Sequence, residues 1–113
     1  MFKITFYQTV EGITPAIEFL DGLDVRAADK VRRGLELLRL FGNGLREPNS
    51  KKLNKDLFEL RVIESSNIYR MFYFFVVGNE IVITHGFTKK TTKTPDNEIE
   101  RAEAYRRDYL TRH

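Results

Sequence analysis

Cations punctuate an apolar, strand-like stretch in the third quarter of the chain. It runs Lys51-Lys52-Leu53, then Leu57-Phe58-Glu59-Leu60-Arg61, then Tyr69-Arg70-Met71-Phe72-Tyr73, and ends His85-Gly86-Phe87-Thr88-Lys89-Lys90-Thr91. Desolvating a cation costs free energy, so a charge among strand residues needs a partner. A visiting anion is the natural candidate, and RNA phosphate fits it best. Arg70 lies early in the most apolar strand, and its guanidinium fork could clamp a phosphate through two hydrogen bonds. The competing arrangement is an internal ion pair of Arg70 with Glu59 or Glu64. Glu59 and Arg61 alternate with Phe58, Leu60 and Val62 and so point away from that core face. They are either two solvated residues or part of a cationic site with Arg70 across the hairpin.

Lys51, Lys52 and Lys55 precede the first of three successive strands, and Lys89, Lys90 and Lys93 follow the last. Short lysine runs are commonly solvated faces. If the three strands alternate in direction, however, the two clusters share one end of the sheet. Residues 46–93 hold nine Lys and Arg against five Asp and Glu, whereas residues 96–113 hold four against five. The local excess therefore belongs to the strands and not to the last helix. His85 falls in step with Ile81 and Ile83 unless Gly86 marks a bulge. It is either a satisfied core residue or an imidazole poised for proton transfer near neutral pH. His113 reads as a frayed end.

Composition removes several classes. The 113 residues include no cysteine, so disulfides and thiolate zinc sites are excluded, and two histidines make a His-rich metal site implausible. No Gly-rich phosphate loop, nucleophile elbow or metal-spaced carboxylate cluster is present, and Gly42-Asn43-Gly44 is a turn. No cofactor is expected. The net charge of +3 is consistent with a polyanionic partner. No run approaches the ~18 apolar residues of a membrane helix, and the alternating start Met1–Tyr7 lacks a signal-peptide block. The expectation is a single domain over 1–113, cytoplasmic and without membrane contact.

The elements that must position these residues follow from periodicity. Phe2, Ile4 and Phe6 share one face of a strand over 2–8. Thr14-Pro15 opens a short helix to about Leu20. Asp24 caps a second over roughly 25–41, with Val31, Leu35 and Leu38 as its buried stripe. Residues 45–56 read as a connecting loop. Strands follow near 57–64, 68–77 and 80–88, joined by hairpin turns at Ser65-Ser66-Asn67 and Gly78-Asn79. The middle strand is apolar on both faces, which suggests cover on both sides. Thr94-Pro95 opens the last helix, with Thr94 as N-cap, Glu98 completing a capping box and Ile99, Ala102, Tyr105 and Tyr109 as its apolar stripe. The order β-α-α-β-β-β-α predicts an α+β fold: a small, mainly antiparallel twisted sheet with helices packed on one face.

These motifs resemble the RelE/ParE toxin superfamily of bacterial type II toxin–antitoxin systems, in its HigB-like branch of phage-derived Gp49-like proteins. The resemblance is carried by Arg46-Glu47-Pro48 with Lys51-Lys52-Leu53, by the 57–61 and 69–73 segments, and by His85 through Pro95 with its paired lysines and Thr-Pro. Glu98-Ile99 and Ala102 continue it into the last helix. It implies a metal-independent mRNA endonuclease working in the ribosomal A site, held in check by a helix-turn-helix, HigA-like antitoxin. Carried over by position, Arg61 and Arg70 fall on the family's sheet-borne basic residues, and Lys89 or Lys90 on its basic position after the final strand. With His85 as a proton carrier, these five form the expected catalytic set. Lys51, Lys52, Lys93, Tyr69 and Phe87 are expected to bind RNA, the last two by stacking on bases. Some HigB relatives end in a functional histidine, the position of His113. Attack by the RNA 2′-hydroxyl would give a 2′,3′-cyclic phosphate. Arg70→Ala is expected to abolish toxicity and leave the fold intact. The alternatives are a ParE-like poison of DNA gyrase and an inactive relative that still binds an antitoxin.

Overall fold

The computed structural model describes all residues, 1–113. Its elements are β1 (Lys3–Phe6), α1 (Pro15–Asp21), α2 (Val25–Phe41), a 3-10 turn (Gly42–Gly44), β2 (Ser50–Lys52), β3 (Phe58–Glu64), β4 (Asn67–Val76), β5 (Glu80–Lys89) and α3 (Asp96–Arg112). The sheet order is β1-β5-β4-β3-β2. β1 runs parallel to β5, and every other pair is antiparallel. The chain is thus α+β, as its pattern implies, with one strand more than expected. β2 lies inside the stretch read as a loop. Ser-Lys-Lys shows no apolar alternation, because a three-residue edge strand has little face to bury and lysine suits an exposed edge.

The helices do not share one face, which corrects the sequence expectation. β4 is apolar on both sides, so each side needs its own cover. α1 and α2 bring Leu20, Val31 and Leu38 onto Met71, Tyr73 and Ile83. α3 brings Ala102 and Tyr109 onto Phe72, Phe74 and Val82 on the other side. Phe72 and Phe74 are fully buried, and each contributes about 1.5–3 kcal/mol by leaving water.

Two local features set up the site. The β4–β5 register slips between Met71, opposite Gly86, and Tyr73, opposite Ile83. The extra residue on β5 turns His85 away from Ile81 and Ile83 and stacks its ring on Phe72, 4.7 Å between centroids. Gly86 meanwhile receives the Phe19 ring of α1: a Cβ there would lie 2.2 Å from Phe19 Cδ2. Gly86→Ala is therefore expected to cost about 1–3 kcal/mol of stability through overpacking, read as a lower urea midpoint.

Asp24 caps α2 as expected, its carboxylate accepting from the Ala27 N–H at 2.8 Å. The start of α3 departs from expectation. Pro95 is the N-cap, and no side chain caps the helix. Thr94 and Glu98, expected to form a capping box, stand four residues apart, one more than that motif spans, and bond instead to Glu59 and His85.

Candidate nucleic-acid interface

The site begins with a charge problem on the sheet. Register places Arg61 of β3 directly opposite Arg70 of β4, and Arg70 opposite Phe87 of β5. Like charges facing each other across a ladder repel. Strand alternation supplies the remedy, since Glu59 lies two residues before Arg61 on the same face. One Glu59 oxygen takes Arg61 Nε, and the other lies 3.4 Å from Arg70 Nε. The Thr94 hydroxyl donates to that second oxygen. Glu59 and Arg70 are both 0% exposed, whereas the Arg61 side chain keeps 16% of its surface. Two guanidiniums thus share one carboxylate, leaving one positive charge uncompensated inside the cluster.

The arginine forks also hold backbone. Arg70 donates through Nη1 to the Lys89 carbonyl at 3.3 Å and through Nη2 to the Thr91 carbonyl. Arg61 Nη2 donates to the Thr92 carbonyl at 2.7 Å. Residues 89–94 are thereby drawn from the end of β5 past β4 and β3 toward β2. A cleft of about 390 Å³ opens there, lined by Lys51, Lys52, Leu53, Thr92, Lys93, Thr94, Asp96 and Ile99. Lys51 pairs in register with Glu59 and so lies on the α3 face. Lys52 borders the cleft but turns to the other face, its ammonium 5.9 Å from the Phe58 ring. Lys89, Lys90 and Lys93 are all exposed.

Several residues expected to act directly do not face this cleft. Arg70 is sealed, because burial selects the internal ion pair over the open clamp. Its guanidinium is held below the usual arginine range by burial, opposed by Glu59 and reinforced by Arg61. It stays charged, since arginine does not deprotonate at physiological pH. Tyr69 is 6% exposed on the α1/α2 side, one alternation away from Arg70, so its ring is not free to stack on a base. Phe87 is half-buried against the α3-side core.

His85 is 1% exposed. Its Nε2 lies 2.9 Å from Glu98 Oε1 and its Nδ1 3.2 Å from Thr84 Oγ1. Burial pushes its pKa down to about 4, overriding the upward pull of the Glu98 hydrogen bond. A neutral ring then donates from Nε2 to the carboxylate, and its Nδ1 lies beside the Thr84 hydroxyl, which also faces the Phe72 carbonyl at 3.3 Å. An imidazole so enclosed joins α3 to the sheet through Glu98 and does not line the cleft. His113 stacks on Tyr109 at the C-terminal end of α3, with ring centroids 4.3 Å apart. The cleft is at the other end of that helix, roughly 25 Å away at 1.5 Å per residue. Thr94 and Asp96 are the site residues that sequence reasoning left out. Thr94 reads from the sequence as a helix cap, and Asp96 carries no motif.

The fold and site define a small α+β domain with a cationic cleft where β2 meets the start of α3. The chain belongs to the family described as phage derived protein Gp49-like (DUF891), whose model matches residues 18–107. The match runs from α1 into α3 and takes in the whole lysine- and arginine-bearing segment. This family falls within the RelE/HigB-like toxin group, in agreement with the motif resemblance. The protein is thus related to toxin–antitoxin systems, and the family implies an antitoxin partner. No curated protein matches the chain. No helix is long and apolar enough to cross a membrane.

Proposed function

We propose that this protein is the toxin of a type II system, a cytoplasmic endoribonuclease that grips mRNA at the cationic cleft. The observation that supports it most is the meeting of Lys51 and Lys93, from opposite ends of the β-meander, beside an arginine cluster with surplus positive charge. RNA brings its own nucleophile. The 2′-oxygen attacks phosphorus, the bond to the 5′-oxygen breaks, and the products are a 2′,3′-cyclic phosphate and a 5′-hydroxyl. The protein must then hold the diester in line and offset its growing charge. Arg61 is the arginine that reaches solvent, with Nη1 left over after Nε and Nη2 are engaged. Lys51 and Lys93 line the cleft itself, Arg61 borders the neighbouring hollow with Lys30 and Arg33, and Lys89 and Lys90 add exposed charge at the end of β5. With His85 sealed, Asp96, the one carboxylate lining the cleft, takes the 2′-hydroxyl proton, and a lysine supplies one to the 5′-oxygen. Such a spare acid–base set suits a substrate aligned by the ribosome, with the cognate helix-turn-helix antitoxin covering the toxin at rest.

Two measurements test this. Primer extension on cellular mRNA after brief induction should show new ends within translated codons, and the fragments should carry cyclic phosphates. Intact message together with DNA damage would favour gyrase poisoning and end the ribonuclease proposal. Binding of labelled single-stranded RNA, followed by anisotropy across a salt series, tests the cleft itself. Replacing Lys51 and Lys93 by alanine should flatten the slope of log K against log salt by about 1.4, at ~0.7 per phosphate contact. An unchanged slope would place RNA elsewhere.

A further inference from the structure

The segment 89–94, from the last residue of β5 to the start of α3, is largely exposed, yet the sheet holds it at four points. Its Lys89, Thr91 and Thr92 carbonyls accept from Arg70 and Arg61, and the Thr94 hydroxyl donates to Glu59. All four bonds end on one cluster, and Glu59 is the only anion in it. Without that carboxylate, Arg61 and Arg70 would face each other unscreened in a buried place. The cluster also contains a buried nitrogen with no hydrogen bond of its own, Arg70 Nε, which only the charge of Glu59 offsets.

We propose that Glu59 and Thr94 are positioning residues for the lysine segment. The carboxylate gathers both arginines and the threonine hydroxyl, and so fixes the backbone that presents Lys93 to the cleft and carries the exposed Lys89 and Lys90 toward it. The consequence for RNA rests on the ribonuclease reading above; the consequence for the segment's order does not. Neither Glu59 nor Arg70 touches the substrate, because both are fully enclosed. Their effect on RNA passes through the carbonyls they fasten.

Thr94 offers the cleanest handle. It is buried, and its hydroxyl can be removed without disturbing either arginine pair. Thr94→Val keeps the volume and deletes the hydrogen bond; Thr94→Ser keeps the hydrogen bond and deletes a methyl. Trypsin cleavage of the native protein after Lys90 and Lys93 should speed up about tenfold in the valine variant and return close to wild type in the serine variant. Affinity for labelled single-stranded RNA should follow the same order, with a loss of about tenfold on Thr94→Val and recovery on Thr94→Ser. The reverse order, with serine impaired and valine normal, would show that Thr94 acts by packing and would overturn the proposal. Proteolysis unchanged in both variants would overturn it as well. If the wild-type protein neither binds nor cuts RNA, the ribonuclease reading falls alone, and the proteolysis result still decides the positioning role.

Discussion

Replacing Arg70 by alanine or methionine is expected to remove about 3–5 kcal/mol of folding stability, the usual cost of breaking a buried ion pair from one side. Glu59 would remain fully enclosed, with Arg61 and Thr94 as its partners but without the charge that faces it at 3.4 Å. The Lys89 and Thr91 carbonyls would lose their donors at the same time. Against a typical total of about 5–15 kcal/mol, that loss leaves the protein marginal. Urea unfolding reads it directly as a lower midpoint at similar slope. Glu59→Gln combined with Arg70→Met should not recover the loss, because Arg61 would then keep its charge without a carboxylate to face it. A midpoint for Arg70→Met within experimental error of wild type would show that the pair carries no stability. This reverses the expectation that Arg70→Ala stays folded. Loss of toxicity in that variant would therefore speak for phosphate only beside a measured stability.

Acidification should weaken the fold through His85. In the unfolded chain this imidazole titrates near 6.5; in the native protein its pKa is about 4. Above 6.5 the ring is neutral in both states and the native state keeps its full stability. As the pH falls from 6.5 toward 4, the unfolded chain takes up a proton that the folded one refuses, and stability declines. Below 4 both states hold the proton and the loss is complete, about 3 kcal/mol at 1.36 kcal/mol per pH unit. The groups around the ring set this balance: Phe72 stacked on it, Thr84 at Nδ1, Glu98 at Nε2, with Arg101 and Tyr105 on α3. Glu98 favours the protonated ring and Arg101 opposes it, while burial outweighs both. Urea midpoints taken stepwise from pH 7 to pH 4 should fall more steeply for wild type than for His85→Gln, which has nothing to titrate there. Parallel curves would mean that His85 is not the group responsible.

Both predictions concern residues that sequence patterns present as chemical and the fold encloses. Basic and imidazole side chains inside strands stood out because such groups are costly to bury. Two solutions meet that cost, an external anion or an internal partner, and they leave the same trace in a linear pattern. For Arg70 and His85 the choice was made by α3 and by residues 89–94, which lie across them and exclude water. For Lys51 and Lys93 no such cover exists, and they line open space. The β4–β5 bulge was likewise legible only as an alternative, since one extra residue reverses which face His85 occupies without changing the composition of the strand.

Local periodicity was enough to determine the α+β class, the order of the long elements, and the buried stripes of α2 and α3. Each of these depends on residues within a turn or a strand of one another. Only the tertiary structure decided that β2 exists, that the helices take opposite faces, and that Glu59 joins Arg61, Arg70 and Thr94. Those outcomes depend on which distant segment covers a given surface. Burial by that segment determines whether a cation faces an internal carboxylate or the open cleft.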